Sequence, residues 1–503
     1  MHGADRMTTR RQALAGAVAT LAAAASTARA DPPSKASKLP RRAPIEGADT
    51  AVTAFVGRTL WGPTGTPTEV DSLDYYVDTF GYLDSRFPLG QAVADFFNNG
   101  GNRAIVLRLV GADAEASGTA GIAIGPIRLK ALAPGAWGNT LKAGVVETDV
   151  GFSLAIVGEG LTEGHFIRFD GPHPINTQFA TSRLVRWDGD PPASDAQAVA
   201  ADLTSFSGGT GGLALTSADY LGDGDTGGIN ALAGTAFNLL CVPADQPGGD
   251  TDTSVWQAAH ALCIQRRAVL IADAPAAWQT ATDAEAGLNA TGLAGASNAT
   301  LYFPRVLVHD LIENTPRPVV ACGAVAGVYA RTDAARGVWV SPAGLNATVL
   351  GASDLAVAVN DATATALTSL NVNTLRRFNG AAPVVFGART LNSWSEYRYV
   401  NVLRMSQFIE NSVRAGLSWV PTASDGEGTW SQMRTLVSTF LNDLFRQGAF
   451  QGVKPADAFF VRCDAMTTAP IDVLFGRINM LIGFAPLKPA EFVLIQISWQ
   501  RHR

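Results

Sequence analysis

The sequence has little of what covalent chemistry usually requires. Its 503 residues include four cysteines and six histidines, and neither type forms a metal-binding or redox pattern. There is no Cys-x-x-Cys and no His-Glu-x-x-His, so zinc, structural or catalytic, has no basis here. Cys241, Cys263, Cys322 and Cys463 stand far apart among apolar residues and read as buried thiols, not as a disulfide frame. No lysine directly follows a glycine, which removes the phosphate-cradling Walker loop. Charged residues make up only 16% of the chain and the net charge is -6, which gives no overall footprint for nucleic acid phosphates and leaves only a local basic patch open. Long apolar runs are missing too: even the alanine-rich stretch from Ala13 to Ala25 is too short to span a bilayer. The expectation is a protein with no cofactor, no metal, no nucleic acid partner and no membrane partner.

What is present is material for a large core. A hydrophobic content of 47% over this length suits about three domains. Residues 1–42 read as a leader and linker. Thr8-Thr9-Arg10-Arg11, the alanine run and Ala28-Arg29-Ala30 resemble a twin-arginine export signal with its cleavage site, although Ala13-Leu14-Ala15 stand where Phe-Leu-Lys is usual. Pro32, Pro33, Lys35, Lys38, Pro40, Arg41 and Arg42 then form a basic linker with little strand character.

Beyond it the periodicity alternates. Ala51 to Gly57 predicts a strand, Leu89 to Phe97 a helix closed by Asn98-Asn99-Gly100-Gly101, and Arg103 to Val110 a second strand. The rhythm resumes with strand Phe237 to Val242, helix Ser254 to Gln265, strand Ala268 to Ala272, a helix near Thr282 to Leu288 and a strand from Thr300 to Val308. Such alternation calls for a parallel sheet with helices on its faces. The fold class is therefore α/β: a parallel-rich, doubly wound core over 43–115 plus 235–385, interrupted by an inserted β-rich domain over 116–234. Leu141 to Val146, Phe152 to Val157 and His165 to Phe169 are strand candidates in the insertion, and Ser207 to Gly212 is its return linker. An α+β C-terminal domain follows over 386–503. Its first helix, Val400 to Ala415, presents Val402, Met405, Phe408, Ile409, Ser412 and Val413 on one face. Its second opens on a Thr429/Gln432 capping box and buries Trp430, Met433, Val437, Phe440, Leu441, Leu444 and Phe445.

Several segments, in order and spacing, resemble contractile tail sheath proteins, the family of contractile phage tails and related extracellular injection particles. In the last part of the chain these are Gln447-Gly448-Ala449, Phe460-Val461-Arg462-Cys463-Asp464, Gly483-Phe484-Ala485-Pro486 and Pro489-Ala490-Glu491-Phe492. In the core they are Thr53-Ala54-Phe55-Val56-Gly57, Phe237 to Pro243, Leu301 to Val306 and Gly327-Val328-Tyr329-Ala330-Arg331-Thr332-Asp333, with Ala133 to Asn139 at the start of the insertion. The extended N-terminal arm usual in that family, reading something like Pro-Gly-Val-Tyr-Val-Glu-Glu, is missing. The resemblance implies a subtilisin-like core architecture and a mechanical role without enzymatic activity. It also implies a helical homo-oligomer built on an inner tube protein, closed by baseplate and terminal cap proteins, in a particle formed in the bacterial cytoplasm. The leader and the missing arm motivate the alternative, an exported sheath-like binding protein that does not assemble.

The residues read physically point the same way. From Glu491 to Ser498 the chain ends in a strand of apolar and β-branched residues. Such a strand can pair with a neighbour, and the resemblance, through the exchanged terminal strands of sheath subunits, implies that Phe492, Val493, Leu494, Ile495, Gln496 and Ile497 donate or complete an intersubunit strand. A strand retained in its own sheet is the alternative; the intersubunit reading predicts that truncation after Pro489 abolishes long assemblies while leaving a folded monomer. Enzyme motifs fare worse. Asp225-Thr226-Gly227 matches the surroundings of a subtilisin aspartate, but His260 precedes Ala261, His309 precedes Asp310, and His2-Gly3 lies in the leader. No Gly-Thr-Ser occurs. A calcium loop counted from Asp223 would need a glutamate where Gly234 stands.

Overall fold

The computed structural model describes residues 42–501 apart from 116–117, 149–150, 159, 170–174, 194–198, 225, 311–313, 425 and 488–491. The export-signal motif, Asp225 and the Pro489-Ala490-Glu491 segment lie outside the described residues. From Pro44 onward the chain is one compact unit.

Its centre is an eight-stranded sheet in the order Val384–Val385, Asn373–Arg376, Ala299–Phe303, Val269–Asp273, Leu239–Cys241, Thr53–Gly57, Ala104–Arg108, Thr68–Val70. The first and last pairs are antiparallel, and every pair between them is parallel. The inner strands read as unbroken runs (TAFVG, AIVLR, VLIAD, ATLYF) with every residue buried, as a sheet covered on both faces requires. Helices Pro88–Asn98 and Cys322–Arg336 cover one face with a core that includes Phe55, Phe96, Val325 and Tyr329. Helices Thr253–Arg266 and Asp361–Ser369 cover the other, around Leu240, Leu262, Leu270 and Leu367. The mixed, parallel-rich α/β character is thus as the alternation predicts.

One predicted strand is two. The run from Thr300 to Val308 breaks at Pro304, which has no N–H to give a ladder. Ala299–Phe303 remains in the large sheet, and Val306–Asp310 joins Thr315–Val319 and Asp354–Leu355 in a separate antiparallel sheet. Apolar periodicity runs straight across the break, so it cannot reveal it.

Residues 121–205 form two antiparallel sheets, of three strands and of four. Ile127–Ala131 and Gly151–Gly158 alternate buried with exposed residues, the mark of sheets with one dry face, and they share a core with Phe179 and Trp187.

In the last part of the chain, helix Val400–Gly416 is buried on two sides. Val402, Met405, Ile409 and Val413 face the C-terminal core, as their spacing predicts, while Val400 and Leu403 pack against the large-sheet core. The second face was hidden by its polar residues. Arg404 there forms an ion pair with Asp333 of helix Cys322–Arg336, with both side chains almost wholly buried. Arg404 also donates to Thr50 O, and Thr50 Oγ1 donates to Asp333. The following helix, Glu427–Arg446, starts two residues before Thr429 and has Gly426 as its N-cap. The predicted capping box is not formed, because Thr429 is buried and its hydroxyl donates back to Ser424 O. The predicted stripe is buried except for Phe445, which is half-buried.

Candidate assembly surface

The terminal strand spans Val493–Gln500 and pairs antiparallel with Arg477–Phe484, from Val493 opposite Phe484 to Gln500 opposite Arg477. Phe459–Arg462 flanks the other side of Arg477–Phe484. The alternation is strict: Val493, Ile495, Ile497 and Trp499 are buried, whereas Leu494, Gln496, Ser498 and Gln500 are exposed. The buried set packs into one core with Ile409 and Val413 of one helix and Met433, Val437 and Leu441 of the next. Of the sequence-predicted residues, Val493 to Ile497 are in the strand. Phe492 precedes it, with its ring stacked on Phe460 at 5.7 Å.

The strand therefore folds into its own sheet, and it does so at the edge. No strand among the described residues lies on its far side. Arg501 N donates to Gly476 O at 2.8 Å, and antiparallel ladders alternate inward-bonded with outward-facing residues. Counting back from Arg501, the odd-numbered residues bond inward, while Leu494, Gln496 and Ser498 direct their N–H and C=O groups outward. Arg414 Nη1 lies 3.5 Å from Ser498 O, on that outer side. Truncation after Pro489 would remove four core side chains, so it would unfold this part of the molecule instead of leaving a folded monomer. Sequence pattern shows which residues favour a strand; which edge is left open depends on the sheet order.

Beside the strand lies an apolar surface that the sequence reading missed. The excursion joining Arg462 to Arg477 exposes Met466 (84%), Ile471 (56%), Leu474 (64%) and Phe475 (52%). Gln500 Nε2 donates to Phe475 O, so this surface continues directly from the end of the terminal strand. A cluster of large apolar side chains left in water is more typical of a contact surface than of a free monomer. Its sequence signal was the placement of Met466, Leu474 and Phe475 around Pro470 and Gly476, where no amphipathic period holds.

Groups capable of chemistry are dispersed. His260, on helix Thr253–Arg266, is half-buried, and its Nε2 has no hydrogen-bond partner; desolvation holds the imidazole below its usual pKa. His309 Nε2 is 2.9 Å from Asn314 Oδ1. All four cysteines are buried and outside any disulfide, as their apolar settings predict. Burial pushes the Cys322 thiol well up, with Cys241 and Asp273 beside it. The Asp273 carboxylate accepts from Ala321 N and Cys322 N at the start of helix Cys322–Arg336, yet burial outweighs those bonds and raises its pKa. It serves as a tertiary helix cap. Among the described residues no group of three or more His, Cys, Asp or Glu could hold a metal ion, and no helix is long and apolar enough to cross a membrane.

Comparison with known proteins brings in the family. Residues 213–391 match the model of the phage tail sheath protein central domain. A protein described as a prophage major tail sheath protein of Pseudomonas aeruginosa (strain UCBPP-PA14) is 26% identical over 274 residues, which cover 53% of this chain and 68% of the relative. Among solved structures, the sheath tail protein of Desulfitobacterium hafniense superposes with a TM-score of 0.65 at 15% identity, over 92% of this chain and 99% of the other. The helical sheath of the anti-feeding prophage in its contracted state gives 0.55 at 20% identity, over 93% and 99%.

Proposed function

We propose that this member of the phage tail sheath family is the repeating subunit of a contractile sheath, in which the open edge of Val493–Gln500 accepts or completes a β-sheet with a neighbouring copy. The observation that carries the reading is the division of labour within that strand. Its odd-numbered side chains and amides are committed inside the subunit, while Leu494 and Gln496 are left to pair outward and the Ser498 carbonyl accepts from Arg414. An edge of this kind adds main-chain hydrogen bonds between subunits. Each contributes about 0.5–1.5 kcal/mol net, so one junction is weak and reversible while a lattice of them is strong. A head-to-tail contact that does not close on itself generates a helix, and the apolar surface around Leu474 and Phe475 adjoins the same edge and extends the contact to the next copy.

The remaining assignments rest on family likeness. The core sheet takes the subtilisin-like architecture without its catalytic machinery. The inserted domain lies outward, the C-terminal domain faces an inner tube protein, and baseplate and cap proteins close the ends. The particle assembles in the bacterial cytoplasm and contracts by rigid-body rotation of domains about the strand junctions. It releases energy stored in assembly, so it needs no nucleotide site and acts as no enzyme.

The test is Gln496→Pro. Proline removes an outward N–H and is tolerated on an edge strand, leaving the internal ladder intact. Electron microscopy of the parent with its cognate tube protein is expected to show long sheathed tubes. The variant is expected to give a folded monomer, checked by circular dichroism, and no tubes. Ordered sheaths from Gln496→Pro would refute the strand's role.

A further inference from the structure

A cavity of about 380 Å³ opens where the core sheet meets the inserted domain, and three arginines line it: Arg58, Arg86 and Arg108. Two of these charges are balanced. Arg58 makes a bidentate pair with Asp245, and Arg86 does the same with Asp84. Arg108 is not balanced. It is 1% exposed, and its hydrogen bonds go only to neutral acceptors: Gly62 O and Thr64 Oγ1 from Nη1, and Pro134 O from Nη2. Its Nε–H has no partner, and none of the residues lining the cavity is acidic. Burial without a facing carboxylate lowers its pKa to about 10, still charged at neutral pH.

The placement strengthens the charge argument. Arg108 closes strand Ala104–Arg108, Arg58 follows strand Thr53–Gly57, and the two strands run parallel with Gly57 opposite Arg108. Both guanidiniums therefore lie at the carboxyl ends of adjacent parallel strands, where open α/β sheets collect their ligands. The opposite wall is the return linker, with Thr210 and Gly211, and Gln246 adds an amide at the rim. A buried guanidinium without a counter-charge is costly, and with Nη1 and Nη2 donating to protein oxygens it is the unpartnered Nε–H that Arg108 has to offer an oxyanion.

We infer that this cavity is an anion site that takes a phosphate-class oxyanion, free or as the terminal group of a small phosphate monoester, with Arg108 supplying the uncompensated charge. Nothing in the proposed sheath role requires it, so the two stand or fall separately. The experiment is isothermal titration of the full-length protein with sodium phosphate, and in a second arm with glycerol 3-phosphate, against sodium chloride at matched ionic strength. Saturable binding of the phosphate probes and none of chloride is expected, with Arg108→Gln weakening affinity at least about tenfold. Tighter binding of the ester would identify the terminal-group source; equal binding would identify the free ion. If Arg108→Gln does not fold, Gly211→Glu serves. Gly211 lines the cavity and has no atom within 4 Å of where a Cβ would stand, so the new carboxylate competes from within and is expected to abolish binding. Absence of saturable phosphate binding, or affinity unchanged in either folded variant, overturns the inference.

Discussion

Arg404 and Asp333 show how much a single pair can hold together. Their salt bridge ties helix Val400–Gly416 to helix Cys322–Arg336, and through Thr50 it fixes the entry of the chain as well. The Arg404 guanidinium also stands 5.0 Å over the Tyr329 ring. Removing one partner strands a buried charge, so Arg404→Met is expected to lower stability by about 3–5 kcal/mol. Combining it with Asp333→Leu should restore most of that, as read by denaturant unfolding. Asp95 gives a pH dependence. It is buried, Gln91 donates to Oδ1, and Oδ2 has no partner; burial raises its pKa to about 7. The folded state thus holds a proton that the unfolded chain releases near pH 4. The associated stability is complete below about pH 4, declines as pH rises through about 7, and is flat above. Asp95→Asn should match the parent in acid and exceed it at pH 8 by roughly 2–4 kcal/mol in urea unfolding.

At the scale of elements, the contact between helices Pro88–Asn98 and Cys322–Arg336 depends on two glycines. A Cβ on Gly323 would lie 1.9 Å from Ala92 O, and one on Gly327 2.5 Å from Phe96 O. Helix propensity favours alanine over glycine by about 1 kcal/mol. Overpacking against a backbone carbonyl costs about 1–3 kcal/mol or more, so the clash decides the sign. Gly323→Ala is expected to lower the thermal midpoint, and an unchanged or higher midpoint would mean that the helices separate at no cost. This contact gives physical content to the segment from Gly327 to Asp333, the core piece most like the sheath family: it combines the close approach with the buried ion pair. The same scale explains where sequence reading fell short. The second buried face of helix Val400–Gly416 is built around Arg404 and Leu403, and a pattern of apolar residues cannot register a charge that is buried because its partner is. The Thr429 capping box failed for a related reason, since tertiary burial of Thr429 outweighed a local cap.

For the whole molecule, separability of the inserted sheets is the useful question. Gly121 and Ser207 exchange both of their backbone hydrogen bonds, at 2.9 and 3.1 Å, so the two ends of the intervening chain lie side by side. Replacing residues 122–206 with a two-residue Gly-Ser linker should leave a protein that unfolds cooperatively. It would lose the packing of Trp61 against Trp137 and the hydrogen bond from Arg108 to Pro134 O. If the insertion lies outward, tubes built from this variant will be narrower in electron micrographs with their core lattice unchanged. Loss of cooperative unfolding would show that the inserted sheets are part of the core.

The order of amino acids is enough to specify the alternation of buried strands and helices, the two C-terminal helices, the buried thiols and the β-forming character of Val493–Gln500. Each of these is a local preference of consecutive side chains for water or for its absence. Folding in three dimensions settles the rest: Val493–Gln500 completes its own sheet and leaves one edge open, Arg404 meets Asp333, Pro304 divides one apolar run between two sheets, and Arg108 lines a cavity without a counter-charge. Those outcomes depend on which distant residues become neighbours, and hydrophobic periodicity carries no information about pairing between segments hundreds of residues apart.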